Sequence, residues 1–457
     1  MGSFRLRTPK SSHTRKAFPR THHTRQTITP NATGRHPQPT KTPAPTTLSA
    51  PTTPPNAYLR PNSECELKSG LNLRSVHIGL NLIYLIPGET GGTEIVAREL
   101  IPELVNASPH VKFTAFINRE TSSMLESLKW LANMSTVTLP IHARQRVQWF
   151  LGEQVLLPRF AARAGIDLLH SLANTGPSLG SFKRVVTIHD LHFKLVPEAH
   201  TPLMRLGMAV AVPLAARRSD RVIAPSKSTA NEIHALLRIN RSKISTVVQG
   251  AGTSVRATPL PERELRKRYG LQHRQIVLCV ASKRRHKNLA ALVSALALIS
   301  PERRPVLVCP GYSTPYEREL LDLADRLGVL KNVKMLSWIT SEELEGLYEA
   351  AACLACPSLH EGFGLPVLEA MVRGVPVACS SRGALAEVAG DAAITFDPTQ
   401  PNSIAAGIEL LLSDPIKRAE LREMGIKRAS GYSWQVAAKE IMAVYESVLR
   451  ERASADS

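Results

Sequence analysis

Two glutamates of this chain stand eight positions apart on either side of a glycine-rich turn. Glu361 is followed directly by Gly-Phe-Gly-Leu-Pro, and Glu369 comes shortly after that proline. Pro366 suits a first helical turn and Gly374 a helix end, so the pattern predicts a helix over about residues 365–373. The exposed amides at the start of such a helix can bind an anion or a hydroxyl-rich ligand. Two solvated surface glutamates would show the same spacing without any function.

A basic loop follows an apolar stretch earlier in the chain. After the strand-like residues 276–281 the sequence reads Ser282-Lys283-Arg284-Arg285-His286-Lys287. A cluster of cations after a strand is what a departing diphosphate requires, because its negative charges must be neutralised as the bond to it breaks. A solvated charge run at a helix start is the alternative interpretation.

Two further loops follow apolar strands in the first half of the chain. Gly91-Gly92 precedes a helix-like stretch, and glycines there let the backbone approach a phosphate. This loop is neither a Walker loop nor a dinucleotide G-x-G-x-x-G motif, and a tight turn alone would also explain it. His189-Asp190 follows the strand-like residues 184–188. His189 could contact a substrate there, or it could simply be packed.

Strand-like stretches alternate with helix-like stretches along the chain, and the loops described above follow strand-like stretches. This alternation predicts a parallel sheet with helices on both faces, and it occurs in two successive series separated by a proline-containing link near residues 257–262. Ligands of such sheets bind beyond the carboxyl ends of the strands, so the cleft between the two domains is the expected site. Cys353 and Cys356 lie in an apolar stretch that favours a buried strand over a redox or zinc motif.

The segment from Glu361 to Glu369 resembles the E-x7-E segment of retaining glycosyltransferases of the large family 4, also called glycosyl transferases group 1. The resemblance covers about residues 76–450. It implies the GT-B fold, an α/β architecture in which two Rossmann-like, doubly wound domains face each other across a cleft. The expected division is a basic tail (1–74), an acceptor domain (75–255), a donor domain (256–431) and a C-terminal helix that crosses back to the first domain (432–457).

The resemblance also implies roles for the site residues. His189, Asp190, Glu361 and Lys287 are the expected catalytic residues, with Lys287 on the departing diphosphate, Glu361 on the sugar hydroxyls and His189 at the sugar or acceptor. Glu369 is expected to bind the ribose. The expected donor-binding residues are Gly91, Gly92, Ser282, Lys283, Arg284, Arg285, Lys287, Gly362, Phe363, Gly364, Leu365 and Glu369. Whether Glu361 acts as a nucleophile is left open.

The basic loop departs from the family pattern at two places. His286 stands where Arg commonly precedes the Lys, and Ala281-Ser282 where Gly is common. The identity of the second cation therefore stays open among Lys283, Arg284 and Arg285. No D-x-D motif stands where a metal-dependent enzyme would hold its ion, so we expect no metal and no cofactor beyond the nucleotide diphosphate sugar, which is the substrate.

The charge of the chain is concentrated in its first residues. Lys and Arg number 57 against 38 Asp and Glu, a formal net charge of +19. Residues 1–74 contribute ten of these positive charges, and 11 of the 33 prolines precede Asn62. This composition predicts a disordered segment. It is a dispensable extension or a basic arm for nucleic acid or anionic lipid, and its composition also resembles a transit peptide. A non-enzymatic nucleic-acid or membrane-surface binding protein that uses this segment as its working part is the alternative from another class.

The favoured function is transfer of a hexose, with mannose among the common donors, to a hydroxyl of a glycan or lipid-linked acceptor in cell-surface polysaccharide synthesis. A GT-B nucleotide-sugar epimerase is a nearer alternative, and nucleic acid is a disfavoured partner. No run reaches the roughly 18 apolar residues of a membrane span. We therefore expect a cytoplasmic protein, peripheral on the inner face of the membrane if the basic and aromatic residues between His142 and Phe150 bind anionic lipid. An ordinary amphipathic helix would explain these residues equally well.

Overall fold

The computed structural model describes residues 76–132, 134–197, 201–251, 257–271 and 273–453. The predictions for residues 1–74 lie outside this part of the chain. Within it, the strands form two separate parallel sheets, each covered by helices on both faces. The predicted two-domain α/β architecture is confirmed.

The first sheet has seven strands in the order β3-β2-β1-β4-β5-β6-β7, and every neighbouring pair is parallel. Its strands are β1 (His77–Asn81), β2 (Lys112–Ile117), β3 (Ser135–Thr138), β4 (Leu168–Ser171), β5 (Lys183–Thr187), β6 (Arg221–Ala224) and β7 (Ile244–Thr246). Its helices are α1 (Gly92–Ala107), α2 (Arg119–Ser123), α3 (Arg146–Leu151), α4 (Leu157–Ala164), α5 (His192–Leu195), α6 (Pro202–Arg218) and α7 (Lys227–Leu237), with a π-helical turn (Gly152–Leu156) joining α3 to α4.

The second sheet has six strands in the order β10-β9-β8-β11-β12-β13, again all parallel. Its strands are β8 (Ile276–Leu278), β9 (Val306–Pro310), β10 (Val333–Leu336), β11 (Ala351–Cys356), β12 (Val377–Ser380) and β13 (Ile394–Phe396). Its helices are α8 (Glu262–Tyr269), α9 (Leu289–Leu298), α10 (Tyr316–Arg326), α11 (Ser341–Ala350), α12 (Leu365–Val372), α13 (Gly383–Ala389), α14 (Pro401–Ser413) and α15 (Pro415–Ala429); the last helix of the chain is α16 (Trp434–Ala453).

Side chains of alternate residues enter two different cores, as a sheet buried on both faces requires. In β1, Ile78 and Leu80 pack in the core that contains α1. Gly79 points to the other face, where an added Cβ would meet Phe116 and Leu169. Cys353 and Cys356 are buried in β11, so the prediction of a strand there is confirmed, and burial raises the pKa of both thiols to about 12.

The last helix, α16, packs on the first sheet although it follows the second domain in sequence. Ala438 and Tyr445 belong to the same core as α1 and β1. The Tyr445 hydroxyl lies 2.6 Å from Nδ1 of the buried His170 on β4, and Thr187 on β5 contacts Nε2 of the same ring. Burial lowers the pKa of His170 to about 3, so the ring is neutral and can exchange one hydrogen bond with each neighbour.

We predict that Tyr445→Phe destabilises the protein by about 2 kcal/mol, because Nδ1 of His170 would be buried without a partner. Urea unfolding measures this directly. Tyr312→Phe is the matched control, since Tyr312 is about half exposed, and it should leave the midpoint unchanged. Equal midpoints for the Tyr445 variant and the wild type would show that this contact does not secure α16.

Among the described residues, no helix combines the length and the apolar character needed to cross a bilayer.

Candidate active site

The two domains are in close contact where the loop after β5 meets the glycine-rich turn before α12. A Cβ built on Gly362 would lie 1.6 Å from the carbonyl oxygen of His189, so only glycine fits there. The Gly362 carbonyl in turn accepts hydrogen bonds from the hydroxyls of Ser226 (2.8 Å) and Thr229 (2.9 Å) at the start of α7. The His189 loop and the E-x7-E turn are therefore held against each other.

Lys287 and Glu361 form a largely buried ion pair at this contact. Nζ of Lys287 donates to Oε1 of Glu361 at 2.6 Å, and both side chains are less than a fifth exposed. Burial alone would raise the pKa of Glu361, but the charge and hydrogen bond of Lys287 lower it to about 2. Burial likewise opposes the Lys287 charge, yet Glu361 raises the lysine pKa above its usual value. Both groups are thus charged at neutral pH.

His189 is buried and oriented on three sides. Its backbone N–H donates to Oδ1 of Asn174 and its Nε2 donates to the carbonyl of Leu172, each at 2.6 Å. Because a carbonyl can only accept, the proton lies on Nε2, and Nδ1 accepts from the Gln249 amide at 3.3 Å. Burial lowers the pKa of His189, so the ring is neutral.

Asp190 lies beside a cluster of three histidines that joins the two domains. Its Oδ1 is 3.2 Å from Nδ1 of His192. The His192 ring lies 4.5 Å from that of His286 and 5.0 Å from that of His360, measured between ring centroids. Burial by itself would raise the pKa of Asp190, but His192 and its neighbours bring it below the usual value.

The sequence pointed to His189 but gave no role to His286 or His360. Nε2 of His360 is 2.9 Å from the carboxylate of Glu232 on α7, and although burial opposes it, this contact raises the His360 pKa. Burial and the neighbouring Lys287 lower the pKa of His286 to about 3. The sequence around His286 and His360 does not indicate that they lie together, because they come close to His192 only when the two domains dock.

The three cations of the basic loop have different surroundings. Lys283 is fully buried, and its Nζ donates to the carbonyls of Gly311 (2.6 Å) and Leu336, so this placement favours a structural role. Arg285 contacts Glu319 and lies over the Tyr316 ring. Arg284 is exposed and makes no ion pair within the described part of the chain.

Ser282 is half-buried, and its carbonyl accepts from the Arg284 N–H at 2.8 Å. Gly311, at φ 140°, packs against this turn: a Cβ there would lie 2.4 Å from the Ala281 carbonyl oxygen. The glycine after β9 thus lets the basic loop fold back over the sheet edge.

The predicted helix after Glu361 is present as α12, with Gly364 at its N-cap (φ 117°) and Arg373 at its C-cap. Phe363 is buried, and its ring lies 6.0 Å from that of Tyr432. Leu365 packs against the cores of both domains. This turn therefore contributes to the domain contact as well as to the candidate site.

Glu369 is buried one turn inside α12. Its Oε2 accepts from the Tyr348 hydroxyl at 3.0 Å, and its pKa is raised because burial outweighs the nearby Arg373. Its role toward a ribose stays a prediction.

Gly91 and Gly92 lie at the start of α1. Gly91 has φ 71°, and a Cβ on either glycine would meet no atom within 4 Å. The open space beside them is consistent with a loop that a ligand approaches, and their donor contact also stays a prediction.

In the described part of the chain, no group of three or more His, Cys, Asp or Glu residues is placed to hold a metal ion. Metal independence stays a prediction.

Two parallel Rossmann-like sheets with a shared cleft and a returning last helix define the GT-B fold. Comparison with known proteins agrees with this class. Two family models match, "Glycosyltransferase Family 4" over residues 90–254 and "Glycosyl transferases group 1" over residues 261–428. The chain belongs to this family of glycosyltransferases.

Curated relatives include mannosyltransferases. The chain is 28% identical over 267 residues to the O-antigen chain mannosyltransferase B of Escherichia coli, covering 58% of this chain and 70% of the relative. It is also 28% identical over 303 residues to the MMP alpha-(1->4)-mannosyltransferase of Mycolicibacterium hassiacum, covering 63% and 72%.

Among solved structures, Anabaena Alr3699/HepE in complex with UDP-glucose aligns with a TM-score of 0.65 at 19% identity, covering 81% of this chain and 99% of that one. At this identity the likeness shows the fold alone. A non-enzymatic binding protein and a nucleotide-sugar epimerase are not favoured by these findings.

We predict that Gly362→Ala separates the two domains, because the added methyl group cannot share space with the His189 carbonyl. Small-angle X-ray scattering would show a larger radius of gyration. Gly207→Ala is the control, since a Cβ there meets nothing within 4 Å. An unchanged scattering curve for the Gly362 variant would contradict the close approach.

Proposed function

We propose that this glycosyltransferase moves a hexose from a nucleotide diphosphate sugar to an acceptor hydroxyl with retention of the anomeric configuration and without a metal ion. Mannose is the hexose we favour, because the names of two relatives specify mannosyl transfer. The observation that carries the proposal is the buried Lys287–Glu361 pair facing His189 and Asp190.

Lys287 would stabilise the departing diphosphate. Its charge is maintained by Glu361 inside a water-poor cleft, where a cation acts more strongly on a developing anion than it does in water. We propose Arg284 as the second cation. Lys283 is committed to backbone carbonyls and Arg285 to Glu319, whereas the exposed Arg284 is available to the incoming phosphates.

Glu361 would hold the sugar hydroxyls rather than attack the sugar. A carboxylate with a pKa of about 2 that is already bonded to Lys287 is a weak nucleophile and a good hydrogen-bond acceptor. Retention requires the acceptor hydroxyl to approach from the face that the diphosphate leaves. The neutral His189 lies against Gly362 of the E-x7-E turn and would orient the sugar or the acceptor.

A thermal-shift panel of GDP, UDP, ADP, CDP, dTDP and their common sugars tests the donor site. We expect the diphosphate and the diphosphate sugars of one base to stabilise the wild type. Lys287→Ala should bind these ligands at least about tenfold more weakly, because a charge-assisted contact is lost. Arg284→Ala should also weaken the shift, whereas Arg285→Ala is the matched control and should not.

The same panel with EDTA present tests metal independence, and the shift should survive. If no nucleotide stabilised a well-folded wild type, the donor proposal would be wrong. A loss in Arg285→Ala instead of Arg284→Ala would reassign the second cation.

The acceptor would be lipid-linked, held at an anionic membrane by an exposed apolar edge of the first domain. This apolar edge consists of Val147 and Leu151 on α3 with Leu203, Leu206 and Val210 on α6, all more than half exposed. Arg146 and Arg205 are exposed among them. Apolar side chains interspersed with arginines suit the interface of an anionic bilayer.

Topology places both helices on the same side of the first sheet. Trp149 of α3 packs in the same core as Leu169 of β4, and α6 packs on Val186 of β5. The register of β4 with β5 puts Leu169 and Val186 on one face of the sheet. α3 follows β3 and α6 follows β5, so the chain enters both helices from the carboxyl-end side of the sheet, the side on which His189 lies. A membrane bound at the apolar edge would be on the side from which the cleft opens.

Flotation of the full-length protein with phosphatidylglycerol vesicles tests the membrane surface. We expect binding that weakens between about 0.15 M and about 1 M salt. Val147→Glu with Leu206→Glu should reduce binding, whereas Ile416→Glu on α15, also well exposed, is the control. Equal binding by the double variant and the Ile416→Glu control would place the membrane contact elsewhere. A failure of the wild type to bind vesicles at any salt concentration would refute the proposed membrane contact.

A further inference from the structure

One buried carboxyl group of the first domain has no part in the chemistry described above. Glu153 is 1% exposed and lies in the π-helical turn between α3 and α4. Such turns insert an extra residue into a helix and occur frequently at functional sites. The turn is tightly packed, since a Cβ on the preceding Gly152 would lie 2.8 Å from the Ile141 side chain.

The two oxygens of this carboxyl group have different surroundings. Oε1 accepts from the Asn81 amide at the end of β1 and from the Thr175 hydroxyl after β4, each at 3.1 Å. Oε2 is buried and has no hydrogen-bond partner among the described residues. An ionised carboxylate would leave charge on an unpartnered oxygen, whereas a neutral acid can use Oε1 as its carbonyl. The arrangement fits the neutral acid better.

Thr175 belongs to the loop that orients His189. In residues 172–175, the Leu172 carbonyl and the Asn174 side chain hold the His189 ring and backbone. Asn174 adopts φ 51°, a conformation that few non-glycine residues take and that its surroundings must maintain. The Thr175 hydroxyl, next to Asn174 in the chain, anchors the loop by donating to Glu153. Glu153 therefore contacts the loop of residues 172–175, which in turn holds His189.

We propose that Glu153, as a neutral acid, is a positioning residue for His189, acting through Thr175 and the loop of residues 172–175. This inference rests on the proposed function only for its enzymatic measurement. The side chains presented to Glu153 are Asn81 from β1 and Thr175 from the loop, with Gln154 beside it in its own turn, and none of them titrates.

The neutral form accounts for a specific pH dependence. Burial raises the pKa of Glu153 from 4.5 to about 7, although the surrounding amides and hydroxyl favour ionisation. The folded chain therefore keeps a proton that the unfolded chain loses, so stability falls as the pH rises from about 4.5 through about 7. Glu153→Gln imitates the neutral acid and should abolish this loss.

Hydrogen exchange and thermal unfolding test the proposal on the full-length protein without any ligand. Glu153→Ala should speed amide exchange in residues 172–190 by roughly tenfold, and Glu153→Gln should not. The melting temperature of Glu153→Gln should rise relative to the wild type between about pH 5 and about pH 8.5. Glu120→Gln is the control: Glu120 is another carboxyl group of this domain that accepts hydrogen bonds, but its donors are the backbone N–H groups of Ala143 and Arg144 rather than the loop of residues 172–175.

Turnover of the nucleotide sugar found in the thermal-shift panel gives the functional measurement. Glu153→Ala should lower kcat with little change in KM for the donor. The wild-type kcat should decline above about pH 7, and Glu153→Gln should keep kcat without this decline. Unchanged exchange in Glu153→Ala, or equal losses of kcat in both variants at every pH, would overturn the proposal. If no nucleotide sugar were turned over, the proposed function would fail, while exchange and melting would still decide the role of Glu153.

Discussion

The close approach of Gly362 to the His189 carbonyl is the constraint on which the candidate site depends. No side chain fits between these two backbones, and the hydroxyls of Ser226 and Thr229 fix the Gly362 carbonyl from the first domain. This contact brings Glu361 and Lys287 beside His189 and Asp190. The same contact assembles the three histidines from two domains, so domain docking and site assembly are one event.

Burial determines the ionisation states of the side chains in the candidate site as much as ion pairing does. Desolvation works against Lys287, Glu361 and Asp190 alike, and each remains charged because a partner outweighs it. His189 and His286 lack such a partner and are neutral. A cation with fixed carboxylates and neutral imidazoles suits a leaving diphosphate better than a row of unpaired cations would, because unpaired charges are costly to bury.

Motifs with their own local geometry could be predicted from the sequence. Pro366 and Gly374 bounded α12 correctly, and the apolar runs indicated the inner strands of both sheets, including β11 with its cysteines. They did not indicate β3, β7 and β13, which are short strands at the sheet edges. The basic loop was located, but its cations were indistinguishable in sequence. Lys283 differs from Arg284 because its side chain passes beneath the Gly311 turn to reach backbone carbonyls, a contact across three strands that no local pattern encodes.

The sequence by itself determined the alternation of strands and helices, hence the two-domain α/β fold, and the short motifs at the strand ends. These follow from hydrophobic periodicity and turn chemistry, which act between near neighbours in the chain. Tertiary structure alone decided which groups meet: Glu361 with Lys287 74 residues earlier, His360 with Glu232, and Glu153 with Asn81 and Thr175. Ionisation states were decided there too, because burial and partners in space, not the residue type, set each pKa.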